Sequence, residues 1–176
     1  MSSEVRAFQP ISGPTDLLRG LFVAEPRWLP EAERLDGRRW SMNLHGGGFT
    51  RSVTAHVGQP WSAKTTVWRS LSWDPERKDG SRSGRFVERL LPTFDGELGL
   101  HLADPVTSLV LDGRYQPPGG EVGATLDEFA LHRFAQNTVQ RLLADIAVAL
   151  HEQVEVEVDR PAVEAASPDD DTPEHP

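Results

Sequence analysis

The sequence predicts an α+β domain in which six or seven strands precede one long C-terminal helix. Two observations carry this prediction. Several short segments before residue 116 alternate apolar and polar side chains, as strands with one buried face do. The segment 131–150 instead repeats apolar side chains at spacings of three and four, which makes one apolar stripe along about 25 residues of helix. The residues of that stripe are Leu131, Ala135, Val139, Leu142, Ile146 and Leu150.

The strands are predicted from this alternation and from the turn residues that separate them. They are expected at residues 4–11, 39–45, 49–57, 65–73, 85–91, 97–103 and 106–115. Three consecutive glycines at 46–48 would suit a phosphate-binding loop, but no Lys-Ser or Lys-Thr pair and no helix follow them. A hairpin turn or a bulge is therefore the preferred interpretation. Residues 74–84 are charged and rich in turn formers, and a mobile loop is expected there.

Helix boundaries are predicted from capping residues and apolar faces. Leu17, Leu18 and Phe22 lie on one face of a short helix that follows the turn at 12–16. Thr125 is a suitable N-cap for the long helix, because Glu128 stands three residues later and completes a capping box.

A resemblance to a known family rests on the segment around the last strand and the long helix. The residues that carry it are Thr107, Leu109, Leu111, Gly113, Tyr115, Pro117, Pro118, Gly120, Gly123, Asp127, Leu131, His132, Arg133, Ala135 and Thr138. This pattern resembles the START-like, or SRPBCC, superfamily of polyketide cyclases, lipid-transfer domains and pollen allergens. The resemblance implies a helix-grip fold, in which a curved antiparallel sheet surrounds the long C-terminal helix and encloses an apolar cavity. It also implies two short helices near the N-terminus, the second at residues 25–30.

The composition limits the function classes. The chain has no cysteine, so thiolate nucleophiles and zinc-thiolate sites are excluded. Nine acids and one arginine in residues 152–176 account for −8 of the net charge of −9. We therefore expect a START-like domain at 1–151 and an acidic, disordered tail at 152–176. Neither a basic patch for nucleic acid nor a segment for stable membrane insertion is visible, and a soluble, cytoplasmic protein is expected.

Candidate ligand-binding residues come from the large apolar side chains and from one irregularity. Trp28, Trp40, Trp73 and Tyr115 are expected to wall the cavity, with Leu142 facing it from the helix. Arg69 interrupts an apolar row on its strand. If that row lines the cavity, Arg69 needs a carboxylate, a backbone carbonyl or an anionic ligand group as partner. Alternatively, the row is exposed and the arginine extends into solvent.

No catalytic residue, metal site or cofactor is predicted. The six histidines form no pair with metal-ligand spacing, and no nucleophile elbow is present. His132 beside Arg133 would suit a base with an orienting cation. Both lie in the family pattern, however, and a role in tying the helix to the preceding turn is preferred.

The leading functional hypothesis is non-catalytic binding of a small hydrophobic molecule, such as a lipid or a polyketide, in an internal cavity. The alternative from the enzyme class is a cyclase-like or aromatase-like activity on a polyketide-type substrate, in which Arg69 stabilises an enolate oxygen. A third hypothesis is a protein-interaction module that uses the acidic tail at 152–176. The ligand and the oligomeric state are not predicted from the sequence.

Overall fold

Eight strands and two helices make up the part of the chain that the computed structural model describes, which is residues 3–46, 49–75, 93–103, 106–116 and 128–159. The strands are β1 (Ser3–Ile11), β2 (Glu33–Asp36), β3 (Arg39–Gly46), β4 (Phe49–Val57), β5 (Trp61–Ala63), β6 (Thr66–Pro75), β7 (Thr93–His101) and β8 (Thr107–Gln116). The helices are α1 (Thr15–Val23) and α2 (Glu128–Asp159).

The strands form one curved antiparallel sheet in the order β1-β8-β7-β6-β4-β3-β2. β4 pairs with residues 71–75 of β6. After a bend at residues 58–60, β5 pairs with residues 66–68 at the start of the same strand. The helix α2 packs against β1, β3, β8 and α1. The predicted α+β class and the helix-grip arrangement are therefore confirmed.

The inner face of the sheet carries the core. One row of directly opposed residues crosses five neighbouring strands, and all five side chains are buried: Trp40, Ala55, Trp73, Phe94 and Tyr115. The rings of Trp73 and Phe94 stack with their centroids 4.3 Å apart. From the helix side, Leu142 and its neighbours in the apolar stripe pack into the same core.

The described residues form eight strands, whereas six or seven were predicted. β2 and β5 were not predicted, since they have four and three residues whose side chains are all exposed and so show no alternation. Apart from the one at 85–91, the predicted strands begin within four residues and end within two residues of the strands in the structure. Three further predictions concern segments that lie largely or wholly outside the described residues. They are the strand at 85–91, the loop at 74–84 and the N-cap Thr125.

The second short helix predicted at 25–30 is not formed. Residues 27–31 are turns, and the amide of Leu29 donates to the carbonyl of Pro26 at 3.3 Å. Pro30 has no N–H group with which to continue a helical ladder from Pro26. Trp28 is nevertheless buried, as predicted.

The C-terminal helix is longer than expected. It continues past His151 to Asp159, so the prediction that the disordered tail begins at residue 152 is wrong for residues 152–159. Val154 stands four residues after Leu150 and is buried with it, so the apolar stripe extends by one more turn. Residues 160–176 lie outside the described part of the chain.

Candidate functional site

Arg69 of β6 is a buried cation that donates to backbone carbonyls. Its Nε donates to the carbonyl of Phe22 at 3.0 Å, and its Nη1 donates to that of Gly58, also at 3.0 Å. Its Nη2 donates to the carbonyls of Val23 and Ala24 at 2.5 and 2.6 Å. The hypothesis of an exposed row is therefore wrong, and of the three partners considered for a buried Arg69 the structure shows the backbone carbonyl.

Three of these carbonyls lie at the C-terminal end of α1. The last carbonyls of a helix have no partner within the helix, and they form the negative end of its dipole. A guanidinium placed there is stabilised by charge and by hydrogen bonds at once. Burial lowers the pKa of Arg69 from its ordinary value, because the charged form is removed from water. Arg69 thus fastens the end of α1 to the middle of the sheet.

Trp28 completes this junction from the turn after α1. Its ring stacks on Phe22 with centroids 5.1 Å apart, and the Cζ atom of Arg69 lies 6.0 Å from the centroid of the same ring. Stacking fixes the turn against α1, and the ring face is a suitable environment for a guanidinium.

A pocket of about 370 Å³ opens beside this junction. It lies between the end of α1, the turn from β2 to β3 and the bend that follows β4. Val23, Pro26, Trp40 and Val57 form its apolar wall, and Trp40 and Val57 are themselves part of the buried core. The pocket therefore reaches the edge of the protein interior.

Four charged side chains also line the pocket: Glu25, Arg34, Arg38 and Arg69. The Oε1 atom of Glu25 lies 2.8 Å from Nη1 of Arg34, while its Oε2 atom accepts from Nε of Arg27 at 3.2 Å. The carboxylate of Glu25 is thus neutralised by two neighbours.

The six residues predicted to bind a ligand are all buried, and only two of them line this pocket. Trp40 and Arg69 line the pocket. The other four are core residues that do not line it: Trp28, Trp73, Tyr115 and Leu142. The prediction that these four also contact a ligand stays a prediction.

Two indole groups in the core have an unused donor. The Nε1 atoms of Trp28 and Trp73 are buried and make no hydrogen bond to any group of the described residues. A buried N–H without a partner is costly, so such groups bind water or a ligand atom in most proteins.

The pocket residues Arg34 and Arg38 were not predicted from the sequence. The dipeptide Asp36-Gly37 was the available indication, since Asp-Gly favours a tight hairpin. Gly37 has a φ of 40°, and Asp36 pairs with Arg39, so the hairpin turn consists of Gly37 and Arg38.

His132 shares a hydrogen bond with the hydroxyl of Tyr115, whose oxygen lies 3.2 Å from Nδ1. This bond ties α2 to β8, whereas the turn that His132 was predicted to hold lies outside the described residues. Among the described residues, no group of three or more histidine, aspartate or glutamate side chains could hold a metal ion. The same residues include no helix that is long and apolar enough to cross a membrane.

Comparison with known proteins gives similarity only at the level of structure. No family model and no curated protein matches the sequence. TTHA0849 from Thermus thermophilus superposes with a TM-score of 0.57 at 16% identity, over 86% of this chain and 99% of that chain. The Zhui aromatase/cyclase from a Streptomyces species also reaches 0.57, at 14% identity, over 92% and 99% of the two chains. Ara h 8.0201 reaches 0.52 at 12% identity, over 86% and 99%.

These matches support the resemblance to the START-like superfamily as a resemblance of fold. The chain has the helix-grip fold over most of its length. Identities of this size establish no shared activity, and the aromatase/cyclase activity is that of the Streptomyces protein.

Proposed function

We propose that this protein binds a small, mainly apolar molecule and does not transform it. The observation that carries the proposal is the pocket beside Arg69, where an apolar wall that includes Trp40 and Val57 adjoins four charged side chains. Apolar walls with a small number of polar groups are typical of small-molecule sites. Binding would be driven by burial of apolar surface, at roughly 25 cal/mol per Å².

The state of Arg69 supports binding rather than catalysis. A cyclase-like role would require its guanidinium to stabilise an enolate oxygen, but four of its five N–H groups donate to backbone carbonyls. Breaking those bonds during a reaction would release the end of α1. We therefore rank the cyclase-like hypothesis second.

The inner row of the sheet is the proposed continuation of the site. Trp40 belongs both to the pocket wall and to the row that includes Trp73 and Tyr115. The Nε1 of Trp73, which has no partner in the part of the chain that the structure describes, would suit a ligand oxygen that accepts a hydrogen bond. Leu142 would contact the same ligand from α2, and Trp28 would close the end near Arg69.

The test is a titration with the neutral dye Nile red, together with native mass spectrometry of the purified protein for retained molecules. Val23 lines the pocket and its side chain is 43% exposed, so Val23→Trp fills the pocket with little effect on the core. The matched control is Val148→Trp, at an exposed position of α2. We expect saturable binding with one site, weakened about tenfold by Val23→Trp and unchanged by the control.

The proposal is wrong if the parent protein shows neither saturable dye binding nor a retained molecule. Equal dye affinity in the Val23→Trp and Val148→Trp variants would contradict the assignment of binding to this pocket. A cytoplasmic location and the absence of a nucleic-acid partner stay predictions.

A further inference from the structure

The pocket beside Arg69 has a local excess of positive charge. Three arginines and one glutamate line it, which gives +2, whereas the whole chain carries −9. A cationic site on an acidic protein attracts anions locally while most of the surface repels them. The distribution of this charge within the pocket shows which groups are available to a ligand.

Arg34 is already occupied. Its Nη1 pairs with Glu25 at 2.8 Å, and its Nη2 donates to the carbonyl of Gly37 at 3.3 Å. Within this ion pair the charges of Arg34 and Glu25 cancel each other. The remaining excess belongs to Arg38 and Arg69.

Arg38 has a fixed backbone and a free side chain. Its carbonyl accepts a hydrogen bond from the amide of Val57 at 3.0 Å, which holds the hairpin turn against the end of β4. Its guanidinium forms no hydrogen bond or ion pair with the described residues, although the neighbouring Arg39 pairs with Asp36. A held turn that presents an unpaired guanidinium to a pocket is suited to bind an anion, because little order is lost on binding.

Arg69 contributes the second cation. It is 5% exposed, and it has no carboxylate partner among the described residues, only neutral carbonyls. A guanidinium has five N–H groups, so one on Nη1 is left for the pocket. A buried positive charge with no negative partner is stabilised when an anion approaches it.

We propose that the pocket ligand is an amphipathic anion, with its carboxylate or phosphate group held by Arg38 and by the remaining N–H of Arg69. The apolar part of the ligand lies against Trp40 and Val57. This inference rests on the proposed function and adds the chemical class of the ligand to it. Lipids and aromatic metabolites with one acidic group share this chemistry.

Matched probes test the charge separately from the apolar part. Naphthoate, naphthyl phosphate and the neutral naphthalenemethanol have the same ring system, and calorimetry at low salt gives their dissociation constants. We expect the better of the two anions to bind about tenfold more tightly than the alcohol, and we expect added salt to reduce this preference. Tighter binding of naphthoate would indicate a ligand with a carboxylate, and tighter binding of naphthyl phosphate would indicate a ligand with a phosphate.

The variant Arg38→Gln should bring the ratio of anion to alcohol affinity close to one. Arg38 is exposed, so the variant should fold like the parent, and a thermal melt checks this. The control is Arg19→Gln, which removes the same charge from an exposed position of α1 outside the pocket lining and should keep the ratio.

If the alcohol binds as tightly as both anions, or if Arg38→Gln keeps the preference, the inference is wrong and the proposed function still stands. If no probe binds, and Nile red does not bind either, the proposed function fails and the inference fails with it.

Discussion

The side-chain amide of Gln136 donates a hydrogen bond to the backbone carbonyl of Arg6 at 3.0 Å. One helical turn later, Gln140 donates to the carbonyl of Phe8 at 3.2 Å. Arg6 and Phe8 lie two residues apart on β1, which is an edge strand of the sheet. Two glutamines that are four residues apart on the helix therefore reach two carbonyls that are two residues apart on the strand. These hydrogen bonds occupy carbonyls of the edge strand that could otherwise pair with another strand.

The first prediction concerns this edge. The double variant Gln136→Ala with Gln140→Ala should lose about 1 kcal/mol of unfolding free energy for each bond removed. It should also self-associate more readily, since the edge of β1 becomes available for pairing. Urea denaturation and light scattering measure the two effects. Asn137→Ala, at an exposed position between the two glutamines, is the control, and similar behaviour of both proteins would contradict the prediction.

Arg69→Lys should destabilise the protein although it keeps the positive charge. A lysine ammonium cannot reproduce the planar fork that reaches the carbonyls of α1 and of Gly58. We expect a loss of about 3 kcal/mol, which corresponds to a fall of about 6–12 °C in Tm. The exposed Arg114, changed to lysine in the same way, should leave Tm unaltered. An unaltered Tm in the Arg69 variant would show that its four bonds add little to stability.

Gly113→Ala should also destabilise the protein. A glycine inside a strand often marks the close approach of another group, and at Gly113 the structure shows that group to be the neighbouring strand β7. A Cβ atom added there would lie 2.6 Å from Cζ of Phe94 and 2.7 Å from the carbonyl oxygen of Asp95. Overpacking of this kind costs about 1–3 kcal/mol.

The control for Gly113 is Gly20→Ala on α1, where an added Cβ atom would meet nothing within 4 Å. That change should stabilise the protein by about 0.5–1 kcal/mol, because glycine is unfavourable inside a helix. Thermal melts compare the two variants. A stable Gly113→Ala protein would mean that both the ring of Phe94 and the backbone at Asp95 move aside without cost.

Two truncations test the end of α2. A chain that ends at Glu152 loses the buried Val154 and should be less stable by about 1.5 kcal/mol. A chain that ends at Asp159 keeps this contact, and its Tm should stay within about 2 °C of the parent. The pair Val154→Ala and Val156→Ala gives the same comparison by substitution, since Val156 is exposed. Equal stability of the two truncated chains would show that the last turns of α2 contribute nothing.

The main elements of the fold could be predicted because their buried apolar side chains recur with the period of a strand or of a helix. Alternation located β3 and β4, and spacings of three and four located α2. Elements whose side chains are all exposed, such as β2 and β5, carry no such period and were missed. The helix predicted around Trp28 failed for a local reason, since Pro30 has no N–H group to continue the hydrogen-bond ladder.

By itself the sequence determined the class of the fold and the inner face of most strands, because each follows from neighbours along the chain. It marked Arg69 as an irregular position but left open whether the residue is buried or exposed. Only the tertiary structure decided what Arg69 binds, since its partners at Phe22, Val23 and Ala24 stand more than forty residues away. The pocket also depends on contacts between residues that are far apart in the sequence. Arg38 and Trp40 reach it only because β3 pairs with β4 and the hairpin turn folds towards α1, and such long-range contacts leave no periodic pattern in the chain.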